Sequence, residues 1–487
     1  MMQAILKQGR WPRDWKVLGL QPTPELLAVS VAYLVQGLKS QLASLAEQYY
    51  LKDLLLFSPA KAETWKVIAG LPWVVKPLYG FISDTIPILG MRRRPYLVAC
   101  GLAGALSFAL LGALPPTAGA ALALMALGEL AIAFSDVVID GVVVERSRNE
   151  SQATAGSLQS ICWGSQAVGR LSSAYTSGWL IDKAGPRMAL ALMAIFPLAI
   201  CLTAGLIREA PRITRPATPD EPAEAEAGTT RHGNEEGEGD ALLAGASAGL
   251  RAAHGERERG GKGLVVHLVA QLRALGAALA TPGIYLPALF LFAWTASPSA
   301  GGTMFYFYTN ALKFSAEFIG RIALLDGFAQ LIGVILYNKF LRKIQLRTLF
   351  FWLTLVGVAA GFTQLVLVTG LNRTLGLSDK LFVLVDSVLL TGLGRIMMMP
   401  SLVLAARICP EGVEATLYSA LMSIANAAAG VGDLLGAGLT WALGITATRF
   451  DALPALVAIC AVGGLLPLPL LRFVPHMSAS QPAEIQL

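Results

Sequence analysis

AGAALALMALGELAIAFSDVVIDGVVV, residues 118–144, decides the architecture. An α-helix rises 1.5 Å per residue and the hydrocarbon core of a bilayer is about 30 Å thick, so about 20 apolar residues make a span. This run is long enough, and its only charges are Glu129, Asp136 and Asp140. Their spacings of seven and four put all three carboxylates on one helical face. That face cannot turn to lipid, because an ionisable group in hydrocarbon is costly unless paired or hydrated. The stretch therefore predicts one helix of a bundle with a polar interior.

The rest of the chain agrees. Of 487 residues, 55% are hydrophobic and 14% charged, and mean hydropathy is +0.59. Soluble domains carry about a quarter charged residues, so lipid must do much of the solvating. The net charge of +6 then reads as Lys and Arg gathered in loops rather than as nucleic-acid binding. With four His there is no metal-ligand spacing, no Gly-rich phosphate loop and no nucleophile–base pairing, which argues against an enzyme, a metal or a cofactor. The five Cys sit in or beside apolar runs and read as small buried hydrophobes, not a disulfide framework. The opening MMQAILKQGRWPRDWK has neither a signal-peptide core nor transit-peptide length, so a mature start near Met1 is expected unless an upstream piece is missing.

Apolar runs predict an all-α membrane protein with twelve transmembrane helices. They lie at 26–50, 63–84, 95–114, 118–144, 153–181 and 186–207, then 283–310, 317–338, 348–370, 380–407, 415–444 and 452–473. This divides the chain into a six-helix half (1–207), a linker (208–262), a second half (263–473) and a tail (474–487). The linker, rich in Pro, Glu, Gly and Ala, cannot bury enough apolar area to order itself and is expected to be disordered and cytoplasmic. Val265, Val266, Leu268, Val269, Leu272 and Leu275 then recur at helical spacing, as in an interfacial helix. Short loops on one side carry fifteen Lys and Arg, among them Arg92, Arg93 and Arg94, against ten on the other, which makes the richer side cytoplasmic or its organellar equivalent. The halves echo each other: Tyr50 with Phe57-Ser58 matches Tyr308 with Phe314-Ser315, and Ala153-Thr154-x-x-Ser157 matches Ala415-Thr416-x-x-Ser419. Paired repeats enclosing a midplane site are a transporter architecture.

Other runs carry polar stripes: Gln36, Ser40 and Glu47 beside Lys39 in the first; Gln159, Trp163, Gln166 and Arg170 in the fifth; Ser419, Ser423, Asn426 and Asp433 in the eleventh. Helix–helix hydrogen bonding accounts for any single stripe, but four together favour a hydrated central path. Asp136 or Asp140 is a candidate proton relay, unless a salt bridge to Arg170 makes it structural. Lys76, flanked by Pro72 and Pro77, either snorkels or meets an anionic substrate. Tyr306, in MFYFYTN (304–310), either packs or stacks on a ring. Sequons at Asn149 and Asn372 fall on the cytoplasmic side and in a tight loop, positions poor for glycosylation.

The most specific local signal is GLPWVVKPLYGFISD (70–84) followed by IPILGMRRRPYL (86–97). Gly80-x-x-x-Asp84 and then Gly90-x-Arg92-Arg93, with Arg94 following, resembles the loop signature of the major facilitator superfamily, with a longer stretch between Asp84 and Gly90. The role this implies for Gly80, Asp84, Arg92, Arg93 and Arg94 is a state-dependent gate latch between halves.

PWVVKPLYGFISD (72–84), RRRPYL (92–97), DVVIDGVVVERSR (136–148), SLQSICWGS (157–165), MFYFYTN, LYNKFL (336–341), GLNRTLGLSD (370–379), LVLAARICPEGVEATL (402–417) and LLPLPLL (465–471) together resemble the folate–biopterin transporter family. The resemblance covers residues 24–473 outside the linker. It implies a major-facilitator fold moving folates or pterins by alternating access, proton-coupled or by exchange, in a plastid envelope or cell membrane. A pterin ring would stack on Trp163 or Tyr306, its amino edge would meet Asp136 or Asp140, and a glutamate tail would seek Lys76 or Arg170. The sequence departs from the family with Gly301 for an expected Asp, Gln166 for Arg, Arg170 for Gly, and unexpected charges at Arg395 and Asp433. Another organic anion on the same fold, or a non-transporting scaffold or receptor, are the alternatives.

Overall fold

The computed structural model describes residues 20–147, 152–207, 209, 276, 280–408 and 414–475. Expectations for the basic segment 1–19, the linker apart from Glu209, the interfacial helix, Asn149 and most of the tail fall outside those residues.

The first half opens with α1 (Pro24–Tyr49), where Thr23 accepts the Leu26 amide at 3.1 Å and Pro24 occupies the first turn, where no amide partner is needed. Next come α2 (Pro59–Ala69), α3 (Lys76–Thr85), α4 (Arg94–Ala113) and α5 (Ala118–Ser147). Helix α6 (Gln152–Met193) turns at Gly185 (φ 80°, ψ 166°), so it holds the expected fifth run and the start of the sixth, which α7 (Ile195–Ala204) completes. The second half contains α8 (Pro282–Thr295), α9 (Gly301–Tyr306), α10 (Ala316–Leu336), α11 (Leu346–Gly361), α12 (Thr363–Val368), α13 (Leu371–Thr374), α14 (Asp379–Arg407), α15 (Glu414–Ala442) and α16 (Leu453–Gly463).

Every expected run is helical, but twelve unbroken spans is not what forms. Nine helices among the described residues are long and apolar enough to cross a membrane, one of them the Ser157–Ala204 stretch that covers two runs. The second and seventh runs are interrupted. Between α2 and α3, Pro72 and Pro77 remove amide donors and the chain drops to a single 3₁₀ turn, Leu71–Trp73. The freed carbonyls find side chains: Tyr79 Oη donates to Pro72 O at 3.0 Å and Asn426 Nδ2 to Trp73 O at 3.1 Å. Between α8 and α9, residues 296–300 run against α15, and the Ser299 amide donates to Gly432 O at 3.2 Å. Only glycine permits this approach: a Cβ at Gly436 would stand 1.8 Å from Ser299 O.

The internal repeat has a physical form. After α1, a π turn (Tyr50–Leu54) leads to Leu56 at φ 53°, and Ser58 caps α2. After α9, a π turn (Phe307–Ala311) leads to Lys313 at φ 55°, and Ser315 caps α10. Two non-glycine residues in the left-handed region at matching positions are a shared backbone solution, not a coincidence of letters.

Helix α1 lies along α6, and α4 packs against α5, α6 and α7; across the halves, α6 meets α10 while α15 meets α2 and α3. One apolar cluster joins the halves: Tyr49, Tyr50, Phe57 and Ile181 with Phe305, Tyr306 and Ala316. It lies opposite the arginine loops. Toward those loops the cores separate, with Tyr33, Tyr96, Ile139 and Val142 in the first half and Phe290, Phe350, Leu404 and Leu417 in the second. Large apolar side chains such as Leu202, Trp352, Trp441 and Leu466 stay exposed on the outside, as lipid contact requires.

Candidate functional site

Three elements of the first half bring the expected charges together. On α5 the seven–four spacing turns Glu129, Asp136 and Asp140 to α1 and α3. Glu129 pairs with Lys39 and accepts Trp73 Nε1–H at 2.7 Å. Asp136 pairs with Lys76, whose ammonium lies 5.0 Å from the Trp73 ring centroid. Asp140 accepts the Tyr33 hydroxyl. The neighbours Asp136 and Asp140 therefore differ: the first has a cation, the second a neutral donor. Asp136 is buried, and burial makes each of these pairings matter, because attraction between charges grows as the local dielectric falls.

Beyond this network lie contacts to α6 and the second half. Gln166 donates to Gln36 at 3.3 Å. Arg170 forms no pair with Asp136 or Asp140; its Nη1 donates to Gln330 Oε1 on α10 at 2.9 Å. Trp163 shares the face of Gln166 and Arg170 and is 59% exposed, and Gln159 is also exposed. Asp433 lies near Ser299 at the break before α9, with Glu63 and Lys66 close by. Glu63 and Lys66 pair at 3.1 Å. Tyr306 takes the packing role: it is 2% exposed and its hydroxyl donates to Phe57 O at 2.9 Å, closing α9 onto the first half. Lys52 to Asn310 at 3.2 Å, and Asp182 accepting the Ala316 and Glu317 amides at 3.0 and 2.7 Å, close the same end.

The loop after α3 is built around Arg93, which is 7% exposed. Its Nη2 meets Asp84 at 2.7 Å and Glu145 at 2.6 Å, and Nη1 donates to Ser83 at 3.2 Å, all within the first half. Burial alone would lower the Arg93 pKa, but Asp84 and Glu145 outweigh it and hold the value above that of an ordinary arginine. The Glu209 carboxylate accepts the backbone amides of Arg92, Arg93 and Arg94, capping α4 with the start of the linker segment. Gly80 lets α3 lie against Val137 of α5. Asn372 is fully buried, donating to Asp379 at 2.8 Å, so its sequon is not accessible.

Several participants carry weak sequence signals. Tyr33 and Gln330 are single polar groups inside apolar runs, and only their partners across the bundle reveal them. Asp326 with Ser387, and Asp386 with Thr363, form a second polar set in the other half. Their intramembrane charge was the available signal.

The chain matches the BT1 family model over residues 36–485. It is 38% identical to the folate-biopterin transporter of Synechocystis sp. over 96% of this chain and 85% of that one. It is 30% identical to probable folate-biopterin transporter 4 of Arabidopsis thaliana, over 92% and 95%. The crystal structure of the nucleoside transporter NupG superposes with a TM-score of 0.63 over 93% of this chain and all of that one, at 13% identity, which shows a shared major-facilitator fold. With its apolar helices and paired halves, the chain belongs to the BT1 family and is a multi-pass integral membrane transporter, not an enzyme.

Proposed function

We propose that this transporter moves folates or pterins by alternating access, with halves 1–207 and 263–473 rocking about the central polar site. The observation that carries the reading is the pairing of Lys76–Asp136 beside Tyr33–Asp140, with the exposed Trp163 on α6. A pterin offers a flat ring for an aromatic face and an amino-pyrimidine edge whose two N–H groups suit a carboxylate. The merged core opposite the arginine loops and the separate cores near them support a state open toward the arginine side. Arg93 with Asp84 and Glu145 supports a latch that stiffens the first half in this state and exchanges partners when the arginine side closes.

Proton coupling is assigned to Asp140, because Asp136 already has its cation in Lys76 while Asp140, among the described residues, pairs with the neutral Tyr33 hydroxyl. Reconstituted protein should take up labelled folic acid faster under an inward proton gradient. Asp140→Asn should lose that acceleration while keeping exchange of labelled for unlabelled folate. Retention of gradient-driven uptake by Asp140→Asn removes Asp140 from the mechanism. The host membrane is proposed to be a plastid envelope or a cell membrane, and fractionation of a tagged copy distinguishes the two.

A further inference from the structure

The described cations near the middle of the first half have carboxylate partners: Lys39 with Glu129, Lys66 with Glu63 and Lys76 with Asp136. Two arginines break the pattern. Arg170 Nη1 on α6 and Arg395 Nη2 on α14 donate to the same atom, Gln330 Oε1 on α10, at 2.9 and 2.8 Å. Among the described residues neither arginine has a carboxylate partner. Among those residues Arg170 Nε is buried with no hydrogen-bond acceptor, and Arg395 Nη1 donates to the Met398 sulfur at 3.2 Å.

The backbone is built to bring them there. Helix α10 is pressed between α6 and α14, since a Cβ at Gly320 would stand 2.9 Å from Ala174 O and one at Gly333 would stand 2.6 Å from Gly392 O. Gly333 lies one turn from Gln330, and Ala174 one turn from Arg170. A neutral amide oxygen accepts two hydrogen bonds but cancels neither charge. Two guanidinium groups meeting inside a membrane protein repel each other and leave donors unused.

We propose that Arg170 and Arg395 form a clamp for a carboxylate of the transported solute, which displaces or shares Gln330. An anionic carboxylate supplies the missing charge and matches the planar guanidinium fork. Because Arg170 belongs to the first half and Arg395 to the second, the bound anion ties the halves together and leaves when they part. This deepens the folate or pterin reading and rests on it: the clamp selects solutes with a carboxylate tail over neutral pterins.

The test is equilibrium binding of folic acid and of biopterin, a neutral pterin, to the purified full chain and to Arg170→Gln and Arg395→Gln. Loss of a charge-assisted hydrogen bond should lower the preference for folic acid over biopterin by about 10- to 100-fold in each variant. A ratio equal to that of the unaltered protein overturns the clamp and leaves the transport reading standing. Failure of the unaltered protein to bind either compound overturns the substrate reading, and the clamp with it. Arg170→Lys and Arg395→Lys keep the charge but not the fork, and give the same comparison if a glutamine variant does not fold.

Discussion

Lys76 and Asp136 provide the sharpest energetic test. Their side chains are 17% and 12% exposed, so water screens the pair poorly. Two unit charges 4 Å apart at an effective dielectric of 20 attract by about 4 kcal/mol. Removing one partner strands the other charge, and such losses run at about 3–5 kcal/mol, whereas removing both is close to neutral. Asp136→Asn and Lys76→Met should therefore each cost about 3 kcal/mol, and the double variant about 1 kcal/mol, a coupling of about 5 kcal/mol. Reversible unfolding in mixed detergent micelles measures all three against the unaltered protein. The diagnostic result is recovery, with the double variant more stable than either single one. Additive costs, about 6 kcal/mol in the double variant, would refute the pairing and the dielectric argument behind it.

Other perturbations probe the frame and the gate. Gly436→Ala places a methyl group against Ser299 O and should cost about 1–3 kcal/mol, read as a lower melting temperature in detergent. Tyr306→Phe removes the hydrogen bond to Phe57 O and should weaken the closed end by about 1 kcal/mol, seen as faster thiol labelling of a cysteine placed at Leu56. Glu145→Gln takes one of two carboxylates from Arg93; slower exchange with unchanged substrate Kd is expected, and an unchanged rate removes Glu145 from the latch. Deleting 215–255 should leave transport intact, whereas loss of uptake with normal folding would favour a scaffold role for the linker.

The fold was legible because bilayer thickness imposes a length on every span, and the paired Phe-Ser signals at 57–58 and 314–315 mark real caps. Two features were only partly legible. Residues 63–84 read as one run, although Pro72 and Pro77 within it mark where α2 and α3 part. Residues 283–310 read as one run because the break at 296–300 is short and Gly432 and Gly436, which admit its backbone, lie over 130 residues away. At the site, periodicity found the α5 carboxylates but not their partners. Spacing along one helix says which face a side chain shares, not which residue of another helix it meets. Lys76 thus found Asp136, Arg170 found Gln330 rather than an aspartate, and Tyr306 proved to be packing.

Counterflow in proteoliposomes is the most direct measurement of the central claim. Vesicles holding the purified chain and loaded with unlabelled folic acid should accumulate external labelled folic acid transiently above equilibrium, and unlabelled biopterin outside should compete. Accumulation no greater than in protein-free vesicles, under conditions where another organic anion does exchange, would contradict it.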